Sequence, residues 1–150
     1  MNQKLRRDAE DIVRFAIERV KPDEAVKRAM TGFAPQGRVF LVAVGKAGWQ
    51  MAQAAVGELP RPVDGGVVVT KYDHVLGDIP GVACYEAGHP VPDENSFRGT
   101  QAVLELTSGL QSTDTVLFLL SGGGSALFEQ PLIPAEELQD VTKQLLACGA

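Results

Sequence analysis

The sequence lacks most of the features that mark specialised protein classes. It has only two cysteines in 150 residues, Cys84 and Cys148. They stand far apart in different elements and neither has a CxxC partner, so zinc and redox motifs are not expected. Both should be buried or half-buried free thiols. No apolar run approaches the ~20 residues that a membrane-spanning helix needs. The first residues have no apolar h-region, which argues against a signal peptide, and acidic residues come too early for a transit peptide. The densest basic group, Lys4, Arg6 and Arg7, is answered at once by Asp8, Glu10 and Asp11, and the net charge is -5. Nothing basic is clustered enough for a nucleic-acid surface. There is no internal repeat and no low-complexity segment. These absences predict a cytoplasmic protein with no nucleic-acid or membrane partner.

What is present is ordinary for a globular domain: 45% hydrophobic and 22% charged residues. A length of 150 residues suits one domain with a real core, or a piece of a larger protein. Leu5, Ala9, Ile12, Val13, Ala16, Ile17 and Val20 recur at three and four, which is one face of a helix. Pro22 breaks that pattern and suits the first position of a second helix to Met30. Val39–Val44 is a continuous apolar run, as expected of a central strand covered on both faces. Gly45-Lys46-Ala47-Gly48 follows, then a helix from Trp49 to about Gly57. Val67–Thr70 and Val82–Ala87 read as strands, joined by a polar loop from Lys71 to Gly81. A helix beginning around Asp93 to Ser96, where Asp or Asn suits the cap, carries a stripe of Ala102, Val103, Leu106 and Leu110. Thr115–Leu120 is the fourth strand. Pro134 opens a last helix with Glu136 and Glu137 in its first turn, continued by Leu138, Val141, Leu145 and Leu146. The chain ends at Cys148-Gly149-Ala150 without a polar tail, which suggests a piece of a larger protein.

Strand and helix alternate, so the fold class is α/β, with a mainly parallel sheet flanked by helices. Ligands in such sheets bind beyond the carboxyl ends of the strands. Three loops leave those ends: Gly45–Gly48, Gly88–Ser96 and Ser121–Ser125. In the last, Ser121-Gly122-Gly123-Gly124-Ser125, glycines permit φ > 0 and close approach. Successive N–H groups there can form an anion nest, with serine hydroxyls as donors at its rim. A plain glycine turn is the alternative. Lys46, between a buried strand and a helix, is placed to meet an anion or an electron-rich transition state. His89 suits a general base or substrate donor, or a ring that simply bonds its loop. Asp93, Glu94 and Asn95 could meet a metal or substrate, with helix capping the simpler role.

Several familiar motifs are excluded. A P-loop needs G-x-x-x-x-G-K-[ST], but Phe40 stands at the first glycine and Ala47 at the Ser/Thr. The turn after the first strand lacks G-x-G-x-x-G, and the second strand ends in Thr70-Lys71 instead of an acidic residue, which speaks against a dinucleotide site. Ser125 has Gly123 before it but Leu127 after it, so there is no nucleophile elbow.

The strings Val44-Gly45-Lys46-Ala47, Gly88-His89-Pro90-Val91-Pro92-Asp93-Glu94-Asn95-Ser96 and Leu120-Ser121-Gly122-Gly123-Gly124-Ser125-Ala126-Leu127, in that order, resemble the amino-terminal, DUF4147-type part of the glycerate 2-kinase family. The carboxy-terminal part of that family is the MOFRL domain, absent here. The likeness runs from the first helix to the chain end. It implies a Rossmann-like domain over residues 1–150, incomplete by comparison with longer members. It also implies phosphorylation of D-glycerate at its 2-hydroxyl with ATP and Mg2+, and leaves a homo-oligomer open. Lys46 matches the family lysine proposed to be catalytic. Ser121, Gly122, Gly123, Gly124 and Ser125 would cradle phosphate or the substrate carboxylate. His89, Asp93 and Asn95 match motif positions as binding residues. The resemblance identifies no magnesium ligands. Some members carry the label hydroxypyruvate reductase, so NAD(P)H-dependent reduction is one alternative and a non-catalytic anion-binding fragment is another.

Overall fold

The structure, a computed structural model, describes residues 3–123 and 125–149. Two helices open it, α1 (Gln3–Val20) and α2 (Pro22–Met30). Then come β1 (Val39–Val44), α3 (Gly48–Glu58), β2 (Gly65–Lys71), β3 (Val82–Ala87), α4 (Glu94–Thr107), β4 (Thr115–Leu120) and α5 (Ala135–Cys148). A 3-10 turn, Ser125–Leu127, follows β4. The expected α/β plan holds, and all four strands run parallel in the order β3-β2-β1-β4.

The apolar run of β1 is the centre of the sheet, and every residue in it is buried. Its side chains alternate between two cores, as strand geometry requires. Val39, Leu41 and Ala43 face α2 and α3, where they meet Val26, Met30, Ala52, Ala55 and Val68. Val42 and Val44 face the other way with Val67, Val69, Ala87, Val103 of α4 and Leu127. Burial on both faces explains why β1 and β2 read as continuous apolar runs and not as alternating ones.

The strand order fixes where a ligand can sit. From β1 the chain steps outward to β2 and β3 on one side, then returns through α4 to β4 on the other. The crossover direction therefore reverses between β1 and β4. In open parallel sheets the crevice for ligands lies at that switch point, beyond the carboxyl ends of the strands.

Three departures from the expectations have physical causes. The β2 strand is longer than Val67–Thr70, because Gly65, Gly66 and Lys71 join its ladders to β1 and β3. The α4 helix stops at Thr107, and Leu110 lies beyond it, 38% exposed, so it adds nothing to the buried stripe. Cys84 is half-buried as expected, and burial pushes its thiol pKa up. Cys148 is exposed, because α5 buries none of its residues. No described helix is long and apolar enough to cross a membrane.

Candidate functional site

At the switch point, Gly45, Lys46, His89, Ser121, Gly122, Gly123 and Leu127 line one recess of about 200 Å³. Three separate loops meet there, as the sequence predicts. The loops after β1 and β4 are joined directly. The Ser121 N–H donates to the Val44 carbonyl at 2.8 Å. The Ala47 N–H donates to Ser121 Oγ at 3.1 Å. That bond uses the serine oxygen as an acceptor and leaves its hydroxyl proton free for a ligand. Gly45 takes a φ of 109° and Gly122 one of 70°, both in the region that favours glycine.

Lys46 is exposed at the rim, immediately before α3. The first turn of α3 has no acidic residue and no side-chain cap. Its free N–H groups and dipole therefore favour an anion at that end. His89 lines the same recess and is half-buried. Burial, then the charges of Lys46 and Lys71, hold its pKa below the usual histidine value. The imidazole is consequently neutral at neutral pH and can accept a proton or a hydrogen bond. Leu127 is an apolar wall of the recess that sequence reasoning did not single out. Its signal in the sequence is its place at the end of the third motif string, where no role is attached to it.

Asp93 and Asn95 do not line this recess; they hold the loop that presents His89. Asp93 is the N-cap of α4 in a capping box. Its Oδ1 accepts from the Ser96 N–H at 3.1 Å, and Ser96 Oγ accepts from the Asp93 N–H at 3.1 Å. Its carboxylate also accepts from the Tyr72 hydroxyl at 2.7 Å and from the Gly88 N–H. Asn95 Nδ2 donates to Tyr72 Oη at 2.9 Å. Tyr72 was missed because it stands 21 residues before Asp93, in a stretch that reads only as a polar loop. Gly124 lies outside the described residues, and of Ser125 only the backbone, at the start of the 3-10 turn, is described.

The Asp93 network has a measurable consequence. Burial pushes the carboxyl pKa up, but the bonds from Tyr72, Gly88 and Ser96 together outweigh it and hold the pKa below the usual range. A depressed carboxyl pKa stabilises the fold above about pH 4, and that contribution is lost as pH falls through the folded value. Asp93→Ala should cost about 1–2 kcal/mol at neutral pH through loss of the cap. The gap from the native chain should close in strong acid. Denaturant titration across pH checks this, and a gap that persists unchanged in acid would rule out the ionised cap as its origin.

No group of three or more metal-ligating side chains converges among the described residues. The recess offers a lysine, a histidine, a hydroxyl and backbone N–H groups, a donor set for an oxyanion and not for magnesium.

Fold and recess together define a doubly wound α/β domain with a crevice at its switch point lined by Lys46, His89 and the glycine turns after β1 and β4. The chain belongs to the family described as "Domain of unknown function (DUF4147)", whose model matches residues 8–150. It is 53% identical over 150 residues to the D-glycerate 2-kinase of Thermotoga maritima, covering 99% of this chain and 36% of that one. A crystal structure of glycerate kinase from the same organism superposes with a TM-score of 0.86 at 52% identity, over 99% of this chain and 36% of that one. The glycerate 2-kinase of Pyrococcus horikoshii is 42% identical over 120 residues, which are 79% of this chain and 27% of that protein. A putative hydroxypyruvate reductase of Agrobacterium vitis is 38% identical over 118 residues, 77% of this chain and 27% of the other. The chain therefore matches the amino-terminal part of glycerate 2-kinases and spans about a third of their length.

Proposed function

We propose that this chain forms the amino-terminal wall of a glycerate 2-kinase active site, in a polypeptide completed by a second domain across the recess. The observation that carries the reading is the meeting of Lys46, His89 and the Ser121–Gly123 turn in one small crevice at the switch point. The similarity to glycerate 2-kinases supports the same assignment.

The reaction transfers the γ-phosphoryl group of ATP to the 2-hydroxyl of D-glycerate. The hydroxyl oxygen forms the new P–O bond, the bond from the γ-phosphorus to the bridging oxygen breaks, and the hydroxyl proton departs. Such a transfer asks the protein mainly for positioning and charge stabilisation. Lys46 supplies a cation to the phosphoryl oxygens. The Ser121 hydroxyl and the backbone of Gly122 and Gly123 supply donors to the phosphate or to the substrate carboxylate. The neutral ring of His89 can take a proton or orient the hydroxyl. Magnesium, when bound, neutralises charge on the nucleotide phosphates. The described residues do not form a site for it, so no step here is assigned to a magnesium ligand of this chain.

The test is an assay of the full-length polypeptide carrying this sequence with D-glycerate, ATP and Mg2+. ADP and 2-phosphoglycerate are expected. A folded protein that forms neither removes the proposal. The A. vitis relative's name makes reduction the competing outcome. NAD(P)H oxidation that depends on hydroxypyruvate, on the same sample, would favour it. The missing dinucleotide fingerprint after β1 argues for the kinase.

A further inference from the structure

Tyr72 does not line the recess, yet its side chain belongs to a chain of bonds that ends beside His89. Its hydroxyl is engaged as donor and as acceptor. It donates to Asp93 Oδ2 at 2.7 Å and accepts from Asn95 Nδ2 at 2.9 Å. The residue is 41% exposed, so packing of the ring accounts for little of its place. The hydrogen bond to Asp93, more than burial, pushes the phenol pKa up. The hydroxyl therefore keeps the proton it donates.

Which partner positions the other follows from how each is held. Tyr72 stands directly after β2, whose last residue, Lys71, is in register with Ala87 of β3. Asp73 then takes a φ of 65°, in the left-handed region that aspartate tolerates better than most residues. The loop beyond is fastened to β3 and α3. The His74 and Val75 N–H groups each donate to Glu86 Oε1 at 2.8 Å. Trp49 Nε1 donates to the Gly77 carbonyl at 2.9 Å. The phenol thus projects from a backbone fixed by β2, β3 and α3. On the other side, Gly88 folds tightly onto Asp93. A β-carbon at Gly88 would stand 3.1 Å from Asp93 Oδ2 and 2.6 Å from the Val91 carbonyl oxygen. The Gly88 N–H donates to the Asp93 carboxylate, and His89 is the next residue. Oδ1 of that carboxylate is held by the Ser96 N–H of the cap at 3.1 Å. Tyr72 fixes the other oxygen, and with it the rotation of the group.

We propose that Tyr72 is a positioning residue for His89: its hydroxyl fixes the rotation of the Asp93 carboxylate, which holds Gly88 and so the histidine ring at the recess. With both its bonds made inside the chain, the hydroxyl acts through the loop and not on a ligand. The kinetic part of the proposal rests on the kinase reading; the structural part does not. Tyr72→Phe separates the two roles of Asp93, since it removes the hydroxyl and leaves the ring and the capping box.

The test is a double-mutant cycle in the full-length polypeptide with D-glycerate, ATP and Mg2+. Tyr72→Phe is expected to lower kcat about 10-fold, since displacing a group by about 1 Å can cost ~10²-fold. The KM for ATP should stay unchanged. In a His89→Asn background the same substitution should lower kcat no further, because effects that run through one residue do not multiply. Native kcat in Tyr72→Phe overturns the proposal. So do multiplied effects, which mark a purely structural role, or native kcat in His89→Asn. If the native polypeptide forms no ADP, the kinase reading fails by itself, and a second measurement decides the positioning. In the 150-residue chain, Tyr72→Phe should move the His89 ring resonances in NMR spectra. The Ser96 amide should keep its protection from hydrogen exchange, because the cap persists. Unmoved His89 resonances overturn the proposal, and so does loss of the Ser96 protection, which would mean that the start of α4 had come apart.

Discussion

Under the kinase proposal, Lys46→Ala is expected to lower the turnover of the full-length polypeptide by about 10²–10³-fold, the loss seen when one preorganised charge-stabilising donor is removed. Stability should scarcely change. Lys46 is exposed, and none of the described salt bridges includes it. Substitutions at such surface positions usually fall within about 0.5 kcal/mol. A cation with no ion pair among the described residues, at the mouth of a polar recess, is what the proposed role needs. A second readout needs no turnover. After burial, the charge of Lys46 is the main influence lowering the His89 pKa. Removing it should let that pKa rise toward the ordinary value of about 6.5. The sequence has two histidines, so the ring resonances can be followed by NMR in the 150-residue chain. The sign also sets a stability trend. His89 binds its proton more weakly folded than unfolded, so its contribution is full above about pH 6.5 and declines as pH falls below it. Lys46→Ala should soften that decline. Near-normal turnover in a folded variant would refute the catalytic role, and an unmoved His89 titration would refute the proximity.

Most of what positions this site is legible in the residues. The six apolar residues of β1 mark a strand buried on both faces, and the glycines after β1 and β4 mark its ligand-facing turns. The order of strands and helices restricts the sheet to a parallel one, and with it the edge where the loops gather. Long-range pairings are not legible. Nothing local says that Ser121 accepts from Ala47, or that Tyr72 reaches across to Asp93. Those bonds depend on which strands become neighbours, a property of the whole chain. Asp93 shows the difficulty most directly. Its place before Ser96 points to a cap, and its place in the His89 motif points to a ligand. In the fold one carboxylate caps α4 and ties down Gly88, so its influence on the recess runs through the loop. The stripe on α1 is a different case. Its period gives the helix correctly, but a period cannot say what the apolar face meets.

The other large effect belongs to Gly45→Ala, and it should differ in kind from that of Lys46. A β-carbon at Gly45 would stand 2.2 Å from the carbonyl oxygen of Ser121, 2.9 Å from its Cβ and 3.0 Å from its carbonyl carbon. The first contact is with backbone, which cannot rotate away as a side-chain tip can. Relief by local movement is blocked on both sides. The Gly45 N–H is held by the Val69 carbonyl at 3.0 Å, and the Ser121 N–H by the Val44 carbonyl at 2.8 Å. The φ of 109° adds strain for any residue with a side chain. Backbone strain and overpacking each cost about 1–3 kcal/mol, so a destabilisation of about 2–6 kcal/mol is expected by denaturant unfolding of the 150-residue chain. Whatever fold survives must move the exit of β4 away from β1, taking Ser121 and its bond from Ala47 with it. Gly45→Ala should therefore lose stability and oxyanion binding together, with inorganic phosphate as the probe. Lys46→Ala should lose binding alone. Gly57→Ala is the control: Gly57 lies within α3 and a β-carbon there meets nothing within 4 Å, so alanine should stabilise the helix by about 0.5–1 kcal/mol. A Gly45→Ala chain as stable as the native one would show that the loops after β1 and β4 are not locked together, and the recess would lose the rigidity on which its proposed chemistry depends.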